Sequence, residues 1–140
     1  MPTLERAIAI AAKAHARQTD KAGQPYILHP LRVMMAVTGS EEKIVAVLHD
    51  VVEDTNVTLV VLENEGFTKP VLAAIFAITK TEGEARLDAA KRVVLNPIAK
   101  AVKLADLADN MDLTRIANPS EKDLKRMQEY KQVMEILIKG

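Results

Sequence analysis

The chain has 140 residues, about half apolar and a quarter charged, the balance of one ordinary globular domain spanning 1–140 that needs no disulfide or structural metal to fold. Its 19 basic and 19 acidic residues cancel, removing the long-range field that draws a protein to nucleic acid or an anionic membrane. The absence of cysteine excludes disulfide frameworks, zinc ribbons and thiol nucleophiles, and fits a reducing, cytoplasmic compartment.

Leu4, Ala7, Ile8, Ala11 and Ala14 recur at three- and four-residue steps, which predicts a first helix to about His15. Glu5, Arg6 and Lys13 interrupt this segment too often for a signal peptide or a membrane span. Gly23 and Pro25 break the period, and Pro30 suits the first turn of a second helix, expected over Pro30 to Val37. Ser40 is placed to cap a third helix, with Glu41 and Glu42 in its first turn and its end near Asp54. Shorter helices are expected over Leu59 to Glu65, Pro70 to Ile78 and Glu84 to Leu95, separated by Gly66, Gly83 and Asn96-Pro97.

The mostly apolar run from Ile98 to Ile116, interrupted by Lys103, Asp106, Asp109 and Asn110, reads as the central helix. Ser120 and Asp123 form a capping-box pattern that opens a last helix to Ile138. With no sustained strand alternation and no internal repeat, the expected fold is an all-α bundle.

The chemistry centres on Leu48-His49-Asp50-Val51-Val52-Glu53-Asp54. On a continuous helix Glu53 lies one turn from His49, and Asp54 one turn from Asp50. The flanking apolar residues predict burial, which costs uncompensated carboxylates several kcal/mol each, and a cation would offset that cost. His29, before Pro30, and Asp106, within the apolar run, are further metal-compatible groups in apolar settings. Any one of these residues alone is readily an ordinary hydrogen-bonded core group, and Asp106 could pair with Lys103. Together His29, His49, Asp50 and Asp106 make a mixed nitrogen and oxygen set suited to Mn²⁺, with Fe²⁺ or Zn²⁺ possible. Glu53 and Asp54 would then orient or deprotonate a water for hydrolysis of a phosphate ester or anhydride. Lys21, Lys80, Lys103 and Asn110 could grip phosphates or a base, although a surface lysine is more often simply solvated. His15 reads as a helix C-terminal histidine, and Arg115 and the charges of the last helix as solvent-facing.

The segments Gly23-Gln24-Pro25-Tyr26-Ile27-Leu28-His29-Pro30, Leu48 to Thr55, and Val102-Lys103-Leu104-Ala105-Asp106 with Asn110-Met111 resemble the hydrolase domain of RelA/SpoT-type alarmone enzymes in its small stand-alone form. The resemblance runs from the first helix to about Leu113. It implies an all-α HD-domain fold with Mn²⁺ on His29, His49, Asp50 and Asp106, and Glu53 and Asp54 serving the attacking water. The implied reaction removes the 3′-pyrophosphate from guanosine tetraphosphate or pentaphosphate. Lys21, Tyr26, Lys80 and Asn110 would line the nucleotide site, and a chain of this length has no room for the synthetase domain of the long enzymes.

This chain departs from the pattern at Asp20, where the family usually has an arginine that packs on the base. It also departs at Leu107, Asp109, Asp112 and Leu113, which imply a more acidic rim. Adenosine alarmones, NADPH or another small phosphorylated nucleotide therefore remain alternatives, as does a non-catalytic HD module that binds a nucleotide or a partner protein. Oligomeric state is not legible, although the last helix, ending in Met134, Ile136, Leu137 and Ile138, is expected to pack on the monomer's own core.

Overall fold

A computed structural model describes residues 2–112 and 118–140, and among these the regular elements are nine α-helices with no strand. They are α1 Leu4–Ala14, α2 Leu28–Ala36, α3 Ser40–Leu48, α4 Val51–Asp54, α5 Leu59–Glu65, α6 Lys69–Ile78, α7 Arg86–Val94, α8 Pro97–Asn110 and α9 Glu121–Lys139. The all-α expectation is met. The helix expected to run to Ile116 instead ends at Asn110, with Met111 as its C-cap, and Leu113, Arg115 and Ile116 lie outside the described residues.

Local chemistry explains several helix ends. Thr3 caps α1 by accepting from the Arg6 amide, and Asn96 caps α8 by accepting from Ala99, with Pro97 in the first turn. The Ser120 and Asp123 capping box forms as expected. Gly66 ends α5 with φ +97°, a left-handed conformation that costs glycine little.

Other helix ends differ from expectation, beginning with Ser40, which does not cap α3 but is its first residue, behind Gly39 and with no side-chain capping bond. Helix α2 begins at Leu28, so Pro30 sits later in the first turn than expected and His29 is itself helical. More consequentially, the third helix does not run through to Asp54. It stops at Leu48, turns at His49 and Asp50, and resumes as the one-turn α4. At this break the His49 ring bonds the Ala46 carbonyl oxygen, using an acceptor that a continuous helix would give to the Asp50 amide.

The run beginning at Ile98 forms α8, which is central in packing on α2, α3, α6, α7 and α9, while the helix with the longest buried series is α3. Ile44, Val45, Ala46, Val47 and Leu48 are all buried, and α3 packs on α1, α2, α6 and α8. Each large apolar side chain of this series contributes about 1.5–3 kcal/mol. Summed, that outweighs the cost of drawing His49 and Asp50 below the surface at its end. In α9, Val133 and Leu137 reach the core while Ile138 stays exposed. No helix among the described residues is long and apolar enough to cross a membrane.

Candidate metal centre and active site

Three elements bring the four residues expected to bind metal together. His29 comes from the first turn of α2, His49 and Asp50 from the break between α3 and α4, and Asp106 from the buried side of α8. One ligand-type atom from each lies within 4.8 Å of all the others. His29, His49 and Asp106 are each no more than 5% exposed.

Asp106 Oδ1 is the hub. It lies 2.8 Å from His29 Nε2 and 3.1 Å from His49 Nε2, and accepts from Asn110 Nδ2 at 3.3 Å. Its second oxygen accepts from Lys103 Nζ at 2.9 Å. The Lys103 ion pair and membership of the cluster, weighed as alternatives for Asp106, are therefore both present. Asp50 Oδ2 lies 3.1 Å from His49 Nε2 and 3.7 Å from His29 Nε2, and accepts a 2.5 Å hydrogen bond from the Tyr26 hydroxyl.

Outer contacts orient both rings. His49 Nδ1 donates to the Ala46 carbonyl at 2.5 Å, and His29 Nδ1 lies 2.6 Å from Asp109 Oδ2. Both Nε2 atoms thus face the cluster, the orientation that metal-ligating histidines need. Asp109, expected on the rim, instead sits behind His29 and accepts from Arg32 Nε at 2.8 Å. Arg32 escaped notice in the sequence, although it and Asp109 each stand one helical turn beyond a candidate ligand, His29 and Asp106 respectively.

Without a cation the imidazoles and carboxylates of the cluster favour each other's charged forms. Burial would push both imidazoles toward neutrality, but Asp106 and Asp50 outweigh it, holding His29 above and His49 well above the usual histidine value. Burial would likewise favour protonated carboxyls, yet His49 holds Asp50 low, and Lys103 with His49 holds Asp106 well below the usual range. The ionised carboxylates and inward-facing Nε2 atoms fit a divalent cation, whose binding displaces the imidazole protons.

Glu53 and Asp54 stand beside Asp50 on the exposed side, with one carboxylate oxygen of each within 4.8 Å of the other two residues'. Glu53 Oε1 accepts from the Lys80 backbone amide at 2.7 Å. Burial, followed by the charges of Asp50 and Glu53, raises Asp54 to about 6.

The cluster opens into two adjoining cavities of about 280 and 340 Å³. Tyr26, Asn110 and Tyr130 line both. The larger is walled by His49, Asp50, Glu53, Asp54, Lys80, Arg86, Lys103 and Asp106, and the smaller by the 19–22 loop, His29, Arg32 and Arg126. Lys21 lines the smaller cavity and pairs with Asp123 Oδ1 at 3.0 Å. Asp20 turns its carboxylate onto its own loop, accepting from the Ala22 and Gln24 amides at 2.9 Å each. Arg86, Arg126 and Tyr130 come from α7 and α9 and carried no local sequence signal. Arg126 corrects the expectation that the last helix's charges simply face solvent. His15 does cap α1, but it is buried, bonded through Nδ1 to Gln18 and packed 4.9 Å from the Tyr26 ring.

No family model matches the chain. It is 33% identical to a GTP pyrophosphokinase of Streptomyces coelicolor over 147 residues, 96% of this chain but 16% of that protein. It is 30% identical to a guanosine-3′,5′-bis(diphosphate) 3′-pyrophosphohydrolase of Aquifex aeolicus over 145 residues, 95% of this chain and 20% of that one. The chain thus spans a fifth or less of these long relatives. A solved structure described as a metazoan orthologue of SpoT that hydrolyses ppGpp shares the fold, with a TM-score of 0.79, 24% identity, and 98% of this chain and 87% of that one covered. A shorter relative, the guanosine-3′,5′-bis(diphosphate) 3′-pyrophosphohydrolase MESH1 of Mus musculus, is 35% identical over 136 residues, 89% of this chain and 75% of that protein. Matched over most of both lengths to that mouse enzyme, the chain belongs to the guanosine-3′,5′-bis(diphosphate) 3′-pyrophosphohydrolase family.

Proposed function

We propose that this chain, as a single HD-type domain, removes the 3′-pyrophosphate from guanosine tetraphosphate or pentaphosphate in the cytoplasm. Mn²⁺ would be held by His29, His49, Asp50 and Asp106. The observation that carries this reading is the convergence of those four ligand-type groups beside Glu53 and Asp54, at the floor of a cavity lined by Lys80, Arg86 and Lys103. When bound, the ion supplies Lewis-acid chemistry, lowering the pKa of water and stabilising charge on a phosphoryl oxygen.

The remaining tasks fall to the chain's own residues. Asp54, with its value near 6, is ionised at neutral pH yet basic enough to accept a proton from water. Glu53, anchored by the Lys80 amide, holds that water's other side. Tyr26 keeps its proton, because burial and the Asp50 charge raise its pKa above the usual phenol value, and it steadies Asp50 while walling both cavities. Lys80 faces the pyrophosphate in the larger cavity, Lys21 the nucleoside side in the smaller, and Asn110 stands where the two meet. The zero net charge suits a small nucleotide rather than a nucleic acid.

The test is to incubate metal-free protein with guanosine and adenosine tetraphosphates and NADPH, with and without Mn²⁺, and to follow released pyrophosphate or phosphate. The expected result is Mn²⁺-dependent pyrophosphate release, fastest from the guanosine substrate. Turnover of the adenosine compound or NADPH alone would reassign the base, since Asp20 presents no cation to it. Folded protein that binds no metal and turns over nothing would overturn the reading.

A further inference from the structure

The two histidines of the cluster are anchored differently. His49 Nδ1 meets a neutral backbone carbonyl, whereas His29 Nδ1 meets a carboxylate, that of Asp109, at 2.6 Å. The other Asp109 oxygen is fixed by Arg32 Nε at 2.8 Å. Arg32 stands one turn after His29 on α2, and Asp109 one turn after Asp106 on α8, so the same two helices that supply ligands also supply this brace. Arg32 and Asp109 are 35% and 12% exposed in their side chains, which shields the pair from water more than a surface ion pair.

We propose that Asp109 is a positioning residue that, clamped by Arg32, fixes His29 in the Nδ1–H tautomer and strengthens Nε2 as a metal donor. The inference rests on the metal reading above. An ionised carboxylate is acceptor-only, so it can accept hydrogen bonds from Arg32 and from His29 at once and never donates one to the ring. Its charge makes the imidazole a better donor than the Ala46 carbonyl makes His49.

An amide in its place has one acceptor and one donor group. In Asp109→Asn, satisfying Arg32 turns the amide NH₂ toward His29 Nδ1, which drives the ring proton to Nε2, the atom that must bind the metal.

Titrating metal-free protein with Mn²⁺, with free ion read by electron paramagnetic resonance, tests this directly. Asp109→Ala and Asp109→Asn are each expected to weaken binding by roughly 10- to 100-fold. Arg32→Leu combined with Asp109→Asn removes the demand of Arg32 for the amide oxygen and should recover part of that loss. Zn²⁺-loaded wild type should also show a slowly exchanging Nδ1 proton on His29 by NMR, a measurement that stands even if a variant misfolds. Variants within twofold of the wild type, or a wild-type His29 without that proton, would overturn the inference while leaving the metal reading intact. A wild type that binds neither ion would overturn both.

Discussion

The two sides of the cleft are held by different kinds of interaction. On the α2, α3 and α8 side the polar groups are buried and each carboxylate has several partners, Asp106 alone meeting both histidines, Lys103 and Asn110. On the α7, α9 and 19–25 loop side each ion pair has at least one largely exposed partner, Lys21 with Asp123 at 3.0 Å and Arg86 with Glu129 at 3.6 Å. Removing one partner of a buried pair costs about 3–5 kcal/mol, whereas an exposed pair contributes about 0–1 kcal/mol. Loss of a partner on the first side should therefore cost more than loss of one on the second.

The sharpest test of that contrast is His49→Ala, which should abolish pyrophosphate release and the rise in melting temperature that Mn²⁺ gives the wild type. Next in size, Glu53→Gln should lower kcat by roughly 10²- to 10⁴-fold while Mn²⁺ affinity, followed by the same titration, stays at the wild-type value. A parallel loss of affinity would place Glu53 with the metal ligands and redraw the boundary between the two sides.

Asp54 supplies a stability test of opposite sign. Its folded value of about 6 lies above the ordinary 3.8, so metal-free protein loses stability as pH rises between those values and does not regain it at pH 7. Asp54→Asn removes that loss. Its melting temperature should exceed the wild type's at pH 7, the difference closing as the pH falls below the ordinary value. Smallest of all, Lys21→Met should raise KM by about fivefold, roughly 1 kcal/mol, with kcat and metal affinity unchanged. An effect as large as that of His49→Ala would break the comparison.

What could be read in advance follows the same division. His29, His49, Asp50 and Asp106 stood out because each interrupts an apolar segment, and a polar residue in such a place needs a partner wherever the chain folds. Asp109 was misplaced because its residue type and position on a helix cannot reveal a neighbour 80 positions away, here His29. The break at His49 and Asp50 was hidden for a related reason. The apolar pattern is equally compatible with one helix or two, and the break is accompanied by a ring bonded to the Ala46 carbonyl, a contact no periodicity shows.

By itself the sequence determined the all-α class, several helix ends and the four candidate ligands, because periodicity, caps and buried polarity are local properties that tertiary contacts seldom reverse. Only the tertiary structure decided how the ligands converge, that Asp109 and Arg32 stand behind His29, and that Arg86, Arg126 and Tyr130 from α7 and α9 wall the cavities. Those arrangements depend on how helices distant in sequence pack against α3 and α8, and packing joins residues by shape and charge rather than by their order along the chain.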